Sequence, residues 1–184
     1  MFPVEIRSGR ILLRELREDD FPAVHRYGGD PEVARYTIWG PDDPEQSREF
    51  LAAAMAAARS EERREYEFGI EMAGELVGGA RIGIKSTVHR LGDIGYVVRR
   101  DLWGRGIASE AAMLLLRLGF LSLDLHRVEA TCDPKNAGSR RVLERIGMRF
   151  EGHLRENVFA HTGWRDSLLF AMLRADWAAL DAQD

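Results

Sequence analysis

The chain has 184 residues, 45% of them apolar, which is enough to bury one hydrophobic core, so we expect a single globular domain over residues 1–184. A formal net charge of -4, from 26 basic and 30 acidic residues, argues against a nucleic-acid-binding protein of the usual strongly basic kind. The single cysteine, Cys132, excludes an internal disulfide and a cysteine-based zinc site, and the lack of a signal-peptide-like N-terminus or a membrane-spanning apolar segment favours a cytoplasmic protein with no membrane partner.

The first half of the chain predicts strands on either side of two helices. Alternating apolar residues in GRILLREL predict a first strand, and REDDFPAVHRYGGD predicts a short helix with an acidic start. The alanine-rich segment QSREFLAAAMAAARSEERRE predicts a second helix, and we interpret its closing charge run SEERRE as a solvated helix end. Gly74 separates YEFGIEM from ELVGGARIGI as in a hairpin, and GDIGYVV predicts a further strand.

The second half predicts two strand–helix pairs and a second hairpin. A helix is expected from about Ser109 to Leu123, followed by the strand HRVEATC and the helix AGSRRVLERIG, which Gly147 ends. The segments MRFEGHLRENVF and WRDSLLFAML flank AHTG as a hairpin before a short terminal helix. The fold class is therefore mixed α/β, a mostly antiparallel sheet with one parallel strand–helix–strand unit, and ligands bind beyond the strand ends of such units.

Two glycines, Gly104 and Gly106, precede the helix expected to begin near Ser109. A helix N-terminus offers unpaired N–H groups to an anion, and glycines let a phosphate come close, although a tight strand-to-helix turn would also explain them. Arg105 adds positive charge beside them. The dinucleotide-binding fingerprint needs glycine or alanine where Ser109 stands, and the P-loop needs lysine where Ile107 stands, so both nucleotide motifs are disfavoured.

The segments GDIGYVV, WGRGIASEA, DPKNAGSRRVLERIGMRFEGHLRE and GWRDSLLFAML, in this order, resemble the GNAT superfamily of acyl-coenzyme A-dependent N-acyltransferases. The resemblance is closest to its RimJ/RimL-like branch of ribosomal-protein N-terminal acetyltransferases and covers nearly the whole chain. It implies the GNAT fold, in which the parallel strands splay to hold coenzyme A, with acetyl-CoA as co-substrate and no metal. Trp103 replaces the Gln or Arg of the general pyrophosphate motif, as is usual in this branch, which leaves phosphate binding to the backbone N–H groups from Gly104 to Ser109.

The same resemblance assigns residues to the coenzyme. Val97 and Val98 would pair with the pantetheine arm through their backbone, and a nearby main-chain N–H would face the thioester oxygen. Asn136 would touch the coenzyme arm, although an asparagine at this place is also an ordinary helix cap. The expected cofactor-binding residues are Val97, Val98, Arg99, Gly104, Arg105, Gly106, Ile107, Ala108, Ser109 and Asn136.

Two catalytic residues are expected by resemblance. Leu143 stands where many members of the superfamily have the tyrosine that protonates the departing thiolate, and Ser139, which matches a serine seen in this branch, would help instead. Alternatively, the hydroxyl of Ser139 bonds to its own helix backbone. Asp93 would act as the base toward the amine, with Glu151 as its rival, and either carboxylate could simply be exposed on the sheet.

The acceptor pocket of this branch lies between the early helices and the last hairpin. Tyr36, Trp39, Phe159 and Trp164 are its candidate walls, although aromatic residues at such places are also commonly core. We interpret Asp166 as structural in the hairpin. The sequence thus predicts an N-acetyltransferase that transfers the acetyl group of acetyl-CoA to a primary amine, either a protein N-terminus or a small molecule, in a ternary complex. A non-catalytic acyl-CoA-binding module is the alternative, and homodimers are common among such enzymes.

Overall fold

A computed structural model describes residues 3–160 and 163–181, which form one mixed sheet with helices on both faces. The strands are β1 (Glu5–Ser8), β2 (Ile11–Glu15), β3 (Glu65–Met72), β4 (Glu75–Ser86), β5 (Leu91–Val98), β6 (Arg127–Cys132), β7 (Arg149–Ala160) and β8 (Gly163–Leu173). The helices are α1 (Phe21–Gly28), α2 (Pro31–Ala34), α3 (Pro44–Ala58), α4 (Ile107–Arg117), α5 (Ala137–Arg145) and α6 (Arg174–Asp181).

The eight strands lie in the order β1-β2-β3-β4-β5-β6-β8-β7. Strands β1 to β5 form an antiparallel meander, β5 and β6 are parallel, and β8 inserts antiparallel between β6 and β7. Helix α4 makes the crossover between the two parallel strands. The predicted fold class, a mostly antiparallel sheet with one parallel strand–helix–strand unit, is confirmed.

The two faces of the sheet are covered by different helices. Strand residues alternate between the faces, so Phe68, Ile82 and Ile94 pack with α4 in the larger core cluster. Leu16, Leu76 and the partly buried Val97 instead pack with α1 and α3 in the smaller cluster on the other face. No helix of the described ranges is both long enough and apolar enough to cross a membrane.

The parallel strands β5 and β6 separate soon after they meet. Their ladder has three residue pairs, from Leu91 with Arg127 to Asp93 with Glu129. Strand β4 continues to pair with β5 as far as Val98, so the last residues of β5 keep one partner strand and lose the other. The result is a splay with one unpaired strand edge, as the resemblance implies.

The charge run after α3 is solvated as expected except at Arg63, and it lies beyond the helix, which ends at Ala58. The guanidinium of Arg63, a residue only 8% exposed, donates to both carboxylate oxygens of Glu15 at 2.7 and 3.0 Å. The expectation fails at this one residue because a guanidinium with good bidentate geometry to a carboxylate can be buried, and the partner lies 48 residues away in the sequence.

Helix α4 begins at Ile107, two residues before the expected start. Gly106 is its N-cap residue, with a left-handed φ of 78°, and Ser109 therefore lies in the first turn rather than at the cap. The helix ends at Arg117, and a π-helical turn over Leu118–Ser122 carries the chain on toward β6.

Both predicted hairpins form. Gly74 has a φ of 81° in the turn between β3 and β4. Strands β7 and β8 pair up to Ala160 and Gly163, and their turn, residues 161–162, lies outside the described residues. Asp166 accepts from the backbone N–H of Glu156 and contacts a ring nitrogen of His153, at 2.8 and 2.7 Å, which confirms its structural role in this hairpin.

Gly78 sets how closely β4 can hold the splayed end of β5. A Cβ at this position would lie 2.2 Å from the carbonyl oxygen of Val97, which cannot move without displacing the strand. We expect Gly78→Ala to lower the free energy of unfolding by about 1–3 kcal/mol through overpacking, measured by urea denaturation. Gly152→Ala, whose added Cβ meets nothing within 4 Å, is the control and should change it by less than about 0.5 kcal/mol. Equal effects would contradict this role for Gly78.

Candidate active site

A cavity of about 660 Å³ opens where β5 and β6 separate. Its walls are α2 and the loop after it, the end of β5, the loop and first turn of α4, and one side of α5 with the loop before it. The volume is in the range of sites for cofactors and drug-sized ligands. Of the predicted site residues it brings together Tyr36, Val97, Val98, Gly104, Arg105, Gly106, Ile107, Ala108, Ser109, Asn136 and Ser139.

The first turn of α4 presents bare backbone to this cavity. The first bond within the helix runs from the N–H of Glu110 to the carbonyl of Gly106 at 3.1 Å, so the preceding N–H groups have no acceptor in the helix. Among the described residues no side chain caps this end. Gly104 and Gly106 both have left-handed φ angles, 75° and 78°. These N–H groups and the helix dipole together form a site for an anion.

Arg10 fixes the loop that carries these glycines. Its guanidinium donates to the carbonyl of Arg105 at 2.5 Å and to a carboxylate oxygen of Glu110 at 2.9 Å. The backbone N–H of Arg10 also donates to Glu110, at 3.2 Å. The loop is thus tied to the β1–β2 turn, about 100 residues away, a contact that sequence reasoning did not anticipate.

The charges around the cavity favour a polyanion. Among its described lining residues, Arg105, Lys135, Arg141 and Arg145 are basic and Glu32 is the one acidic residue. These basic residues come from two separate segments, the loop before α4 and α5 with the loop that precedes it. Although the whole chain carries a net charge of -4, the mouth of this cavity is positive.

The unpaired edge of β5 presents particular backbone N–H and C=O groups to the cavity. Arg99 donates its N–H to the carbonyl of Val77 at 2.9 Å, so the backbone groups of Val98 point away from β4 toward the cavity. The carbonyl of Val98 accepts from the indole nitrogen of Trp103 at 2.7 Å. The carbonyl of Val97, by contrast, lies against Gly78 of β4, so the two valines expected to act alike present different groups to the cavity.

Ser139 and Tyr96 bring two hydroxyl groups together in the cavity wall. Their oxygens are 3.1 Å apart, and the phenol also lies 3.3 Å from the carbonyl of Ser139. Burial raises the pKa of Tyr96, which stays protonated. Asn136 caps α5 by accepting from the N–H of Ser139 at 3.0 Å. Leu143, which stands where many members of the superfamily have a tyrosine, is 1% exposed and belongs to the core.

Sequence reasoning missed Tyr96, although it lies within the GDIGYVV segment used for the resemblance. The strand alternation places it toward α4 and α5, where a phenol must find a partner for its hydroxyl. A polar-tipped residue at a core-facing strand position was the available signal. Ser139, its partner, lies 43 residues away in the sequence.

The expected base, Asp93, does not line the cavity but lies on the sheet face covered by α1 and α3. Arg81 donates to it at 2.8 Å and is 3.5 Å from a carboxylate oxygen of Glu67 on β3. Burial raises the pKa of Glu67 to about 7, although Arg81 opposes this shift. Glu67 was not anticipated from the sequence, because its burial depends on the packing of the helices over the sheet.

Five other predicted residues lie outside the lining of this cavity. Glu151 pairs with Arg127 at 2.8 Å. Arg99 pairs with Glu75 and Asp101, and Trp39 is 37% exposed. Phe159 and Trp164 lie near the tip of the last hairpin, where they pack edge to face at 5.3 Å while 69% and 64% exposed. The alternative that these aromatics are core is wrong as well.

Arg165 on β8 connects the last hairpin to the cavity wall. Its guanidinium donates to the carbonyl of Tyr36 at 2.6 Å and lies 3.7 Å from Asp133, which follows β6. The loop after α2 is thereby held against the far arm of the splay. Tyr36 is the one predicted acceptor-pocket residue that lines the cavity.

Comparison with known proteins gives consistent matches. Residues 10–149 match the acetyltransferase (GNAT) domain family. The N-acetyltransferase YnaD of Bacillus subtilis is 31% identical over 176 residues, 95% of this chain and 99% of its own length. An acetyltransferase of the GNAT family from Bacillus anthracis superposes with a TM-score of 0.83 at 34% identity, covering 94% of this chain and 99% of that chain. Mycobacterium smegmatis RimJ in complex with CoA-disulfide gives 0.84 at 29% identity, covering 98% and 96%.

The chain therefore belongs to the GNAT acetyltransferase family. Its structural similarity to RimJ confirms the predicted resemblance to the RimJ/RimL-like branch. It is an acetyl-CoA-dependent N-acyltransferase, and acetyl-CoA is its acyl donor.

The raised pKa of Glu67 makes stability depend on pH. The folded protein holds this proton up to about pH 7, whereas a glutamate with the usual pKa of 4.5 loses it earlier, so the free energy of unfolding falls as the pH rises through this window. Glu67→Gln removes the cost of the buried charge. Relative to wild type, the variant should gain up to about 3 kcal/mol between about pH 5 and pH 8, measured by urea denaturation. The exposed Glu49→Gln on α3 is the control, and a curve for Glu67→Gln parallel to wild type would contradict the assignment.

Proposed function

We propose that this enzyme transfers the acetyl group of acetyl-CoA to a primary amine by direct attack in a ternary complex in the cytoplasm. The observation that carries the proposal is the meeting, in one cavity, of an uncapped helix N-terminus, an unpaired strand edge and a pair of hydroxyl groups. Each suits a different part of the donor, in the order pyrophosphate, pantetheine amides and thioester.

The coenzyme would lie along the cavity from α4 to α5. Its pyrophosphate binds the backbone N–H groups from Gly104 to Ser109, with Arg105 supplying charge. Its pantetheine arm follows the free edge of β5, where the N–H of Val98 is available as a donor. Asn136, held by its cap to α5, lies along the same path.

The reaction itself needs no covalent enzyme intermediate. The lone pair of the neutral amine forms the C–N bond, and the electron pair of the C–S bond leaves with sulfur. The extra proton on nitrogen goes to a base, and the thiolate takes up a proton or remains ionised, since a free thiol has a pKa of about 8.5. The products are an acetamide and coenzyme A.

We assign Ser139 to the leaving group. It lines the cavity at the first turn of α5, and Leu143 is buried in the core and offers no hydroxyl. A single hydrogen bond to sulfur is sufficient assistance for a thiolate, which is a stable leaving group. This residue argues against a purely non-catalytic acyl-CoA-binding module.

For the base we propose Asp93, acting through water from the face of the sheet opposite α4. It lies on β5, the strand along which the pantetheine arm would bind, and Arg81 donates a hydrogen bond to it. Glu67 is a second candidate because its pKa of about 7 matches general-base catalysis near neutral pH. Both carboxylates bind the same guanidinium, so they form one linked group.

The acceptor is a primary amine, and an experiment must identify the molecule to which this amine belongs. Acetyl-CoA should be incubated with a panel of N-terminal peptides, polyamines and aminoglycosides while free thiol is measured. Amine-dependent thiol release with a matching acetylated product supports the proposed function. Tight coenzyme binding without thiol release for any amine would favour the binding module.

The anion site at α4 is tested with two glycines of equal backbone strain. Gly106 and Gly74 have φ angles of 78° and 81°, so the backbone strain of alanine should cost about 1–2 kcal/mol of stability at either position. The added Cβ at Gly106 also lies 3.2 Å from the Arg10 guanidinium, whereas at Gly74 it meets nothing within 4 Å. Only Gly106→Ala alters the cavity. Its methyl group would hold a phosphate away from the backbone N–H groups, so we expect coenzyme A binding to weaken by about tenfold to a hundredfold, comparable to the loss of one charge-assisted hydrogen bond. Isothermal titration calorimetry measures the affinity of each variant for coenzyme A. Equal affinities in the two variants would mean that the glycine forms only a turn.

The base is tested by pH–rate profiles. Asp93→Asn should lower kcat/KM near neutral pH, and its deficit should shrink at high pH, where the amine loses its proton without help. Glu67→Gln is measured in parallel with the same acceptor. If the deficit of Glu67→Gln depends on pH in this way while that of Asp93→Asn does not, the base is Glu67 and the assignment to Asp93 is overturned.

A further inference from the structure

We propose that Tyr96 is a positioning residue for Ser139: its phenol donates a hydrogen bond to the serine and thereby directs the serine's own proton toward the thioester sulfur. The proposal rests on the proposed function of Ser139 and extends it to a second residue. Tyr96 comes from β5 and Ser139 from α5, so their contact joins the two arms of the splay at the cavity wall.

The donors and acceptors available at Tyr96 and Ser139 favour a hydrogen bond from the phenol to the serine hydroxyl. A phenol has one proton, and both oxygens within reach of it belong to Ser139, the hydroxyl at 3.1 Å and the carbonyl at 3.3 Å. The carbonyl of Ser139 already accepts a helical hydrogen bond from the N–H group four residues later in α5. The serine hydroxyl is therefore the better acceptor, and once it accepts, its own proton must point elsewhere.

The remaining direction for that proton is the cavity. Both residues line it, and the backbone N–H of Ser139 is already bonded to Asn136 at 3.0 Å. A serine hydroxyl ordinarily rotates among several acceptors or bonds back to its helix. Fixing it in one orientation removes that freedom before the reaction, and a donor aimed in advance stabilises developing charge more effectively.

The phenol keeps its proton throughout. A thiol has a pKa of about 8.5 and a phenol about 10, so full transfer from Tyr96 through Ser139 to sulfur would run uphill. Burial raises the pKa of Tyr96 further. Cys132 is the ionisable side chain whose charge would act on this phenol, and burial raises the pKa of Cys132 to about 11. The pair therefore orients one donor and relays no proton.

The test compares Tyr96→Phe, Ser139→Ala and the double variant. Tyr96→Phe removes only the hydroxyl, and Tyr66→Phe, a buried tyrosine of β3 outside the cavity, is the matched control. We expect Ser139→Ala to lower kcat by about tenfold to a hundredfold and Tyr96→Phe by about threefold to tenfold, with the KM for acetyl-CoA nearly unchanged. Because Tyr96 acts through Ser139, the double variant should be no slower than Ser139→Ala.

A second measurement needs no amine substrate. The pKa of the thiol of bound coenzyme A, followed by thiolate absorbance, should rise by about 0.5 to 1 in Tyr96→Phe and at least as much in Ser139→Ala, with no further rise in the double variant. This result supports the pair even if no amine is acetylated, in which case only the proposed function fails. Independent, additive effects of the two substitutions, or an unchanged thiol pKa in Tyr96→Phe, would overturn the proposal.

Discussion

The structure depends on one interrupted hydrogen-bond ladder. Strand β5 pairs with β4 along its whole length but with β6 for only three residue pairs, so its last residues expose backbone groups at a cavity rather than to a neighbouring strand. Buried backbone groups without partners are costly, and a ligand that carries amide groups can satisfy them. The crossover helix α4 begins at the end of this edge, and for that reason the anion site and the amide-binding edge form one continuous surface.

Polar contacts between distant segments hold the splay open. Arg10 ties the glycine loop to the β1–β2 turn, and Arg165 ties the last hairpin to the loop after α2. Tyr96 and Ser139 connect the two arms directly. Each contact joins a cavity wall to a strand or turn of the sheet. The shape of the cavity is thus determined by the whole fold and not by the glycine loop alone.

The sequence predicts the local features of this fold well and the distant ones poorly. The hairpin at Gly74 was predicted, and the glycine turn before α4 and the cap at Asn136 were the alternatives to a binding role; all three depend on neighbouring residues. The burial of Arg63 against Glu15 and the raised pKa of Glu67 depend on partners brought close only by folding. Predictions transferred by resemblance met the same limit, because Asp93, Glu151 and Trp164 lie on the right elements but outside the cavity.

The indole of Trp103 determines which backbone groups a ligand meets in the cavity. It occupies the carbonyl of Val98, so the last backbone group that β5 offers to the cavity is a donor. The uncapped N–H groups at the start of α4, which line the same cavity, are donors as well. A molecule lying across this junction meets hydrogens on both sides and must present oxygen at each point. A ligand that presents a carbonyl oxygen at Val98 and anionic oxygens at α4 satisfies this condition, and one that presents an N–H group at either point does not.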